Sequence, residues 1–223
     1  MAEVRAVIFD IDGTLIDSRE LIYRAMEDVL AARGVKVTRE EIDTTAGKPI
    51  QAMYTMLAPH LDPAELEAAH LAHHEEHSDL LKLYDRTHEV LQLLKDQGYT
   101  LGVFTGFNKI THERLKRFDI AKYFSSVVES TMYTAHKPDP EGLFLSMDEL
   151  GIDDPATVVY IGDGAVDMQV GRNAGVGMTV GITHGFGTRQ ILEECGADHT
   201  VDSLPGFKSL LARTNYNTLR SAD

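Results

Sequence analysis

The sequence contains a single cysteine, Cys195, in 223 residues. No intrachain disulfide is possible, which fits a reducing compartment. No apolar run approaches the ~20 residues needed to span a bilayer. Glu3 and Arg5 sit beside a short β-rich run with no long apolar segment, so no secretory signal is expected. Basic residues are scarce: 21 Lys and Arg against 35 Asp and Glu leave a net charge of −14. That deficit argues against nucleic acid and anionic membrane as partners, since both require clustered Lys and Arg. A chain this acidic can handle an anionic substrate only where a lysine or a bound cation supplies local positive charge. A cytoplasmic location is expected.

The remaining composition, 43% hydrophobic and 25% charged, is ordinary for a globular protein of one large or two small domains. Val4 to Phe9 is a short apolar run that predicts a buried strand. It leads directly into Asp10-Ile11-Asp12-Gly13-Thr14. A strand this apolar belongs in the middle of a sheet, so Asp10 and Asp12 emerge at its C-terminal edge, where open α/β sheets bind ligands. Two carboxylates this close repel each other, so they call for a metal ion, for acid/base work, or for both. A bland alternative, a surface turn capping a helix, is set against the rest of the chain.

From Asp17 to about Tyr84 the pattern is helical, with no strand signal. Asp17 is placed to cap a first helix, with Glu20 reaching back. Thr38 with Glu41 starts a second helix, and Asp62-Pro63 starts another. From about Arg86 strands alternate with helices: Thr100–Phe104, Ser126–Glu129, Thr157–Ile161, Met178–Val180 and His199–Val201 are predicted strands. Such alternation argues for βαβ units and a parallel sheet. The expected architecture is therefore α/β: a Rossmann-like doubly wound parallel core over 1–16 and 86–223, with an all-helical cap inserted over 17–85.

Several strand ends carry polar residues of one kind. Asp10 and Asp12 follow the first strand, Thr105 follows Thr100–Phe104, and Asp163 follows Thr157–Ile161, while Lys137 opens a helix after a loop. A parallel sheet brings these ends to one edge. Asp163 and Asp167 face the same site if a helix starts between them. Carboxylates, a hydroxyl and a lysine at one edge suit a hard divalent cation and a phosphoryl group.

Four ordered segments, Asp10-Ile11-Asp12-Gly13-Thr14, Thr105 after its strand, Lys137-Pro138, and Gly162-Asp163-Gly164-Ala165-Val166-Asp167, make the chain resemble the haloacid dehalogenase superfamily on its phosphatase side. The similarity covers nearly the whole chain, including the helical insertion. It implies that Asp10 attacks phosphorus and that Asp12 acts as general acid and then base. It implies Mg²⁺ held by Asp10, Asp163 and the main-chain carbonyl of Asp12, with Asp167 supporting the metal site or orienting Lys137. Thr105, the Gly106 amide and Lys137 would bind the phosphoryl group. Gly106 is a departure, since relatives often carry Asn there. The second aspartate, Asp12, favours phosphate esters or anhydrides over halides and phosphonates. The C-terminal stretch around Val180–Gly187 and Ala197–Ser203 is similar to phosphoglycolate phosphatases and related pyrophosphatases, and less like β-phosphoglucomutase. The implied partner is a small phosphorylated metabolite, and the chain is expected to act as a monomer or homodimer. A mutase that returns the phosphoryl group to a sugar, and a signalling module phosphorylated on Asp10, are the alternatives.

Other signals weigh less. His73-His74-Glu75-Glu76-His77 matches a zinc-peptidase pattern, and His70, His74 and His77 share a helical face, yet a polar cap-helix surface explains them better. Lys48 and Gln51, in the loop that interrupts the cap helices, are candidates for substrate specificity. Gly185-Phe186-Gly187 is taken as an ordinary glycine loop, and Cys195 shows no partner marking a nucleophile.

Overall fold

The computed structural model describes residues 3–45, 48–107 and 110–220. A strand β1 (Ala6–Phe9) is buried throughout and lies at the centre of a six-stranded sheet. A short ribbon strand β2 (Ile16–Asp17) leads into four helices: α1 (Arg19–Ala31), α2 (Arg39–Asp43), α3 (Ile50–Leu57) and α4 (Pro63–Glu76). The chain returns through β3 (Lys82–Leu83), which pairs antiparallel with β2. The remaining elements alternate: α5 (Thr87–Asp96), β4 (Thr100–Phe104), α6 (Thr111–Arg117), β5 (Ser126–Val128), α7 (Glu141–Glu149), β6 (Val158–Gly162), α8 (Ala165–Ala174), β7 (Met178–Ile182), α9 (Arg189–Glu194), β8 (His199–Val201) and α10 (Leu204–Arg220).

The sheet runs β5-β4-β1-β6-β7-β8, and every pair in it is parallel. Ala6 faces Thr100 on one side and Val158 on the other, so β1 is the strand from which the order departs in both directions. This is the topological switch point at which doubly wound sheets open a crevice. Alternate residues of β1 feed two cores. Val7 and Phe9 pack with Leu91, Leu101 and Phe207, while Ala6 and Ile8 pack with Phe104, Leu143 and Tyr160. Burial on both faces explains why the strands read as continuous apolar runs.

A third core lies among the four helices and gathers Ile22, Met26, Leu30, Ile42, Met53, Tyr54 and Leu66. It also takes in Phe107, from the loop after β4, and Phe186, from the loop after β7. The helical block is thus packed onto the loops that form the sheet's C-terminal edge.

Two local expectations change. The segment between β1 and α5 is not purely helical, because β2 and β3 pair where the chain leaves and re-enters the sheet layer: Ile16 opposite Leu83, Asp17 opposite Lys82. Two residues per strand are too few to leave a periodic signal. Ser18 takes the N-cap position of α1 without a side-chain bond, Asp17 accepts from the Arg19 amide at 3.4 Å from one residue earlier, and Glu20 does not reach back. Glu20 is held instead by Arg24 at 2.8 Å and by Arg39 at 2.9 Å, a charge pairing that outweighs a local backbone bond. The other two caps form as the sequence indicates. Thr38 and Glu41 make a reciprocal capping box, and Asp62 accepts from the Ala64 amide ahead of Pro63.

Candidate active site

Asp10, Thr105 and Asp163 follow the C-terminal ends of the adjacent strands β1, β4 and β6. Lys137, from the loop before α7, inserts between them. Its Nζ donates to Asp10 Oδ1 and to Asp167 Oδ1, each at 2.7 Å. The Lys137 and Asp167 side chains are only 3% exposed. Asp167 is fully engaged: Oδ1 also accepts from the Tyr160 hydroxyl at 2.9 Å, and Oδ2 accepts from the Gly164 amide at 2.9 Å. That last bond caps the start of α8, which begins between Asp163 and Asp167 and turns both inward.

Asp10, Asp163 and Asp167 offer carboxylate oxygens within 4.8 Å of one another, all buried. With all three carboxylates ionised, one lysine would leave the cluster with a net charge of −2. The electrostatics follow. Burial pushes the Asp10 carboxyl well above its usual range, against the pull of Lys137. Burial, reinforced by the neighbouring Asp167, raises the Asp163 carboxyl to about 7. Burial alone would depress the Lys137 ammonium, but the charges of Asp10 and Asp167 outweigh it and push it up. A divalent cation fits this donor set in charge and in chemistry, because hard oxygens are what such ions take.

Asp163 is anchored from two sides. Its Oδ1 accepts from the Thr14 hydroxyl at 3.2 Å and its Oδ2 from the Phe186 amide at 2.7 Å. Gly13, at φ 84°, passes so close that an added Cβ would lie 2.1 Å from Asp163 Oδ2. Only glycine meets both constraints. Gly185 is equally close, with a Cβ position 2.1 Å from the same oxygen. The Gly185-Phe186-Gly187 loop is therefore part of the site rather than an ordinary connection. Its contribution is backbone amides and lack of bulk, which carry little sequence signal.

The Thr105 hydroxyl accepts from the Phe107 amide at 3.2 Å, leaving its own O–H to donate elsewhere. Thr105, Gly106, Lys48, Ile22 and Met53 line the cavity over the carboxylates, whose volume is about 40 Å³. Gln51 is placed elsewhere: its amide donates to Glu67 at 2.7 Å, and it lines a separate open groove.

Asp12 borders the cavity but stands outside the acidic cluster. Both of its carboxylate oxygens are taken by Nη1 of Arg114, at 2.8 and 3.1 Å. Arg114 was not among the residues expected from sequence. It lies on α6, and its second nitrogen donates to His74 Nδ1 of α4 at 2.7 Å. The histidines of α4 do not converge as ligands. His70 bonds Tyr54 at 2.9 Å, His73 bonds Asp28 at 2.9 Å, and the His77 ring lies against His73 at 4.2 Å with the planes tilted by 58°. Among the described residues, the aspartate cluster is the one group able to hold a metal ion.

A profile of the haloacid dehalogenase-like hydrolase family matches residues 7–180. The chain is 32% identical over 216 residues to a phosphoglycolate phosphatase of Neisseria meningitidis, covering 91% of each protein. It is 30% identical over 204 residues to the pyrophosphatase PpaX of Bacillus velezensis, covering 90% of this chain and 93% of that one. A Bacteroides fragilis protein described as a haloacid dehalogenase-like hydrolase superposes with a TM-score of 0.80 at 29% identity, covering 91% of this chain and 98% of that one.

Proposed function

Since the chain belongs to the haloacid dehalogenase-like hydrolase family and is a phosphatase, we propose that it hydrolyses a small phosphomonoester through an aspartyl-phosphate on Asp10. The observation that carries this reading is Lys137, buried and shared between Asp10 and Asp167. It holds Asp10 by Oδ1 and leaves Oδ2 directed to other work. An ammonium there offsets charge as a phosphoryl group arrives, and phosphoryl transfer depends mainly on such positioning and neutralisation.

In the first half-reaction Asp10 attacks phosphorus, the bond to the ester oxygen breaks, and Asp12 gives that oxygen a proton. In the second, Asp12 takes a proton from water, whose oxygen attacks phosphorus and frees Asp10. The Thr105 hydroxyl and the Gly106 amide hold the phosphoryl oxygens. Asp10, Asp163 and the Asp12 carbonyl would hold a divalent cation, which supplies further charge neutralisation, and Mg²⁺ suits their oxygen chemistry. Asp167 acts through Lys137 and the start of α8.

The cavity is small, about 40 Å³, and a compact substrate suits it better than a polymer. Lys48 adds a cation to its wall, and no carboxylate pairs with it among the described residues. A second anionic group on the substrate would meet it. Phosphoglycolate and pyrophosphate, named for the relatives, both carry one, and 2-phosphoglycolate is the preferred candidate. We place the cap at 17–85, a segment that leaves the sheet layer by β2 and returns by β3, and assign it the specificity side of the site.

The test is phosphate release, with and without Mg²⁺, from 2-phosphoglycolate, pyrophosphate, sugar phosphates, nucleoside monophosphates and an aryl phosphate. Mg²⁺-dependent release from one natural member identifies both reaction and substrate class. Isomerisation of a sugar phosphate with little phosphate release would overturn the hydrolase reading in favour of a mutase.

A further inference from the structure

We propose that Arg114 is a positioning residue for Asp12, and that the helical block completes it through His74. The inference rests on the reading of Asp12 as acid and base. The guanidinium is fixed on three sides. Nη1 spans both oxygens of Asp12, Nη2 donates to His74 Nδ1, and its face lies 5.0 Å above the Phe107 ring. The His74 imidazole stacks on the same ring at 5.7 Å, with 14° between the planes. Phe107 in turn donates its amide to Thr105. Asp12, the phosphoryl-binding loop and helix α4 therefore meet at one arginine.

The chemistry assigns the protons. Arginine can only donate, so His74 Nδ1 is an acceptor and the imidazole carries its proton on Nε2. That Nε2 is buried without a partner. The Arg114–Asp12 pair is itself almost sealed, at 7% and 10% exposure. Buried ion pairs are poor sources of stability, and an unpartnered buried N–H detracts from it. What the arrangement does provide is a carboxylate with one orientation at the cavity wall. The guanidinium keeps its plane only while α4 presents His74. The seating of the helical block and the aim of the proton donor are one structure. Sequence distance hides this, since the partners lie 102 and 40 residues apart.

Proton donation matters for an alkoxide leaving group and little for a nitrophenolate. The experiment is leaving-group release in the first turnover, with glycerol phosphate and with nitrophenyl phosphate, in the full-length protein with Mg²⁺. Asp12→Asn should slow the alkyl ester far more than the aryl ester. Arg114→Met and His74→Leu should show the same split, with roughly tenfold loss on the alkyl ester and less than about twofold on the aryl ester. His74→Asn, which returns an acceptor near Nδ1, should recover most of the alkyl activity. Adding His74→Leu to Asp12→Asn should cost nothing further. Equal losses on both esters, or an additive loss in the double variant, would overturn the positioning role. Absence of the split in Asp12→Asn itself would instead remove the reading of Asp12. The His74 pair decides the matter even if Arg114→Met fails to fold, because it leaves the arginine in place.

Discussion

The amide of Phe186 donates to Oδ2 of Asp163 at 2.7 Å, tying the loop after β7 to the carboxylate after β6. Gly185 makes that approach possible, since a Cβ there would stand 2.1 Å from the same oxygen and 2.4 Å from Cγ. Gly185→Ala must therefore displace either the loop or Asp163. The expected outcome is a folded protein whose Mg²⁺ requirement rises by about tenfold or more, the range seen when the support of a metal ligand is disturbed. A titration of activity against Mg²⁺ checks it, and an unchanged midpoint would refute it.

Asp10→Asn removes the proposed nucleophile but preserves the side chain's shape and an acceptor for Lys137. Turnover should fall by more than about 10³-fold, as it does when a covalent nucleophile is lost. No phosphorylated protein should be detectable by mass spectrometry under acid quench. A variant with near-normal activity would rule out the covalent route.

Lys48→Met should act on recognition rather than on chemistry. For a substrate with a second anionic group, KM should rise by roughly tenfold, the loss of one charge-assisted contact. For nitrophenyl phosphate, which has no such group, KM should stay within about twofold. Equal effects on both substrates would place Lys48 outside the recognition surface.

His70 sets an acid limit on stability. Burial, assisted by the Arg114 charge, lowers its pKa from 6.5 to about 3. The unfolded chain binds the proton near pH 6.5, whereas the folded chain resists it until about pH 3. Between those values the unfolded state holds more protons, so stability falls as pH falls and is fully present above about 6.5. The contribution is at most about 5 kcal/mol. His70→Gln keeps a hydrogen-bonding partner for Tyr54 without the titration. Its Tm should decline less steeply than that of the parent from pH 6.5 to 4. Parallel declines in calorimetry would contradict the assignment.

The sheet and the aspartate cluster were legible because each combined a strong local pattern with a chemical ending. β1 and β6 are apolar runs that stop at aspartates, and a parallel sheet leaves those aspartates nowhere else to go. Asp163 and Asp167 could be placed on one site from a spacing and a helix start alone. Arg114 was not legible, because nothing near it in sequence distinguishes it from the other basic residues of α6. The buried face of α4 consists of Leu66, His70 and His74, so its inward side reads as polar. The loop at Phe186 acts through amides, which every residue possesses. α9 and α10, which pack beside β7, β8 and α5, went unassigned, and β2 and β3 are too short to show a period. Glu20 was misplaced because a local rule competed with Arg39, a partner 19 residues away.

β2 and β3 put the chain's exit and re-entry side by side, Ile16 across from Leu83. Everything between them hangs from a single doorway. β1 and β4 are already joined in register by their own hydrogen bonds. The register of those two strands therefore does not depend on the length of the segment beyond the doorway. A block exchanged there would still have to seat Phe107 and Phe186 in its core and meet Arg114 from α6, so the doorway alone does not make the helices independent of the site. A foreign block grafted at the same doorway would need those contacts as well as the two strand ends.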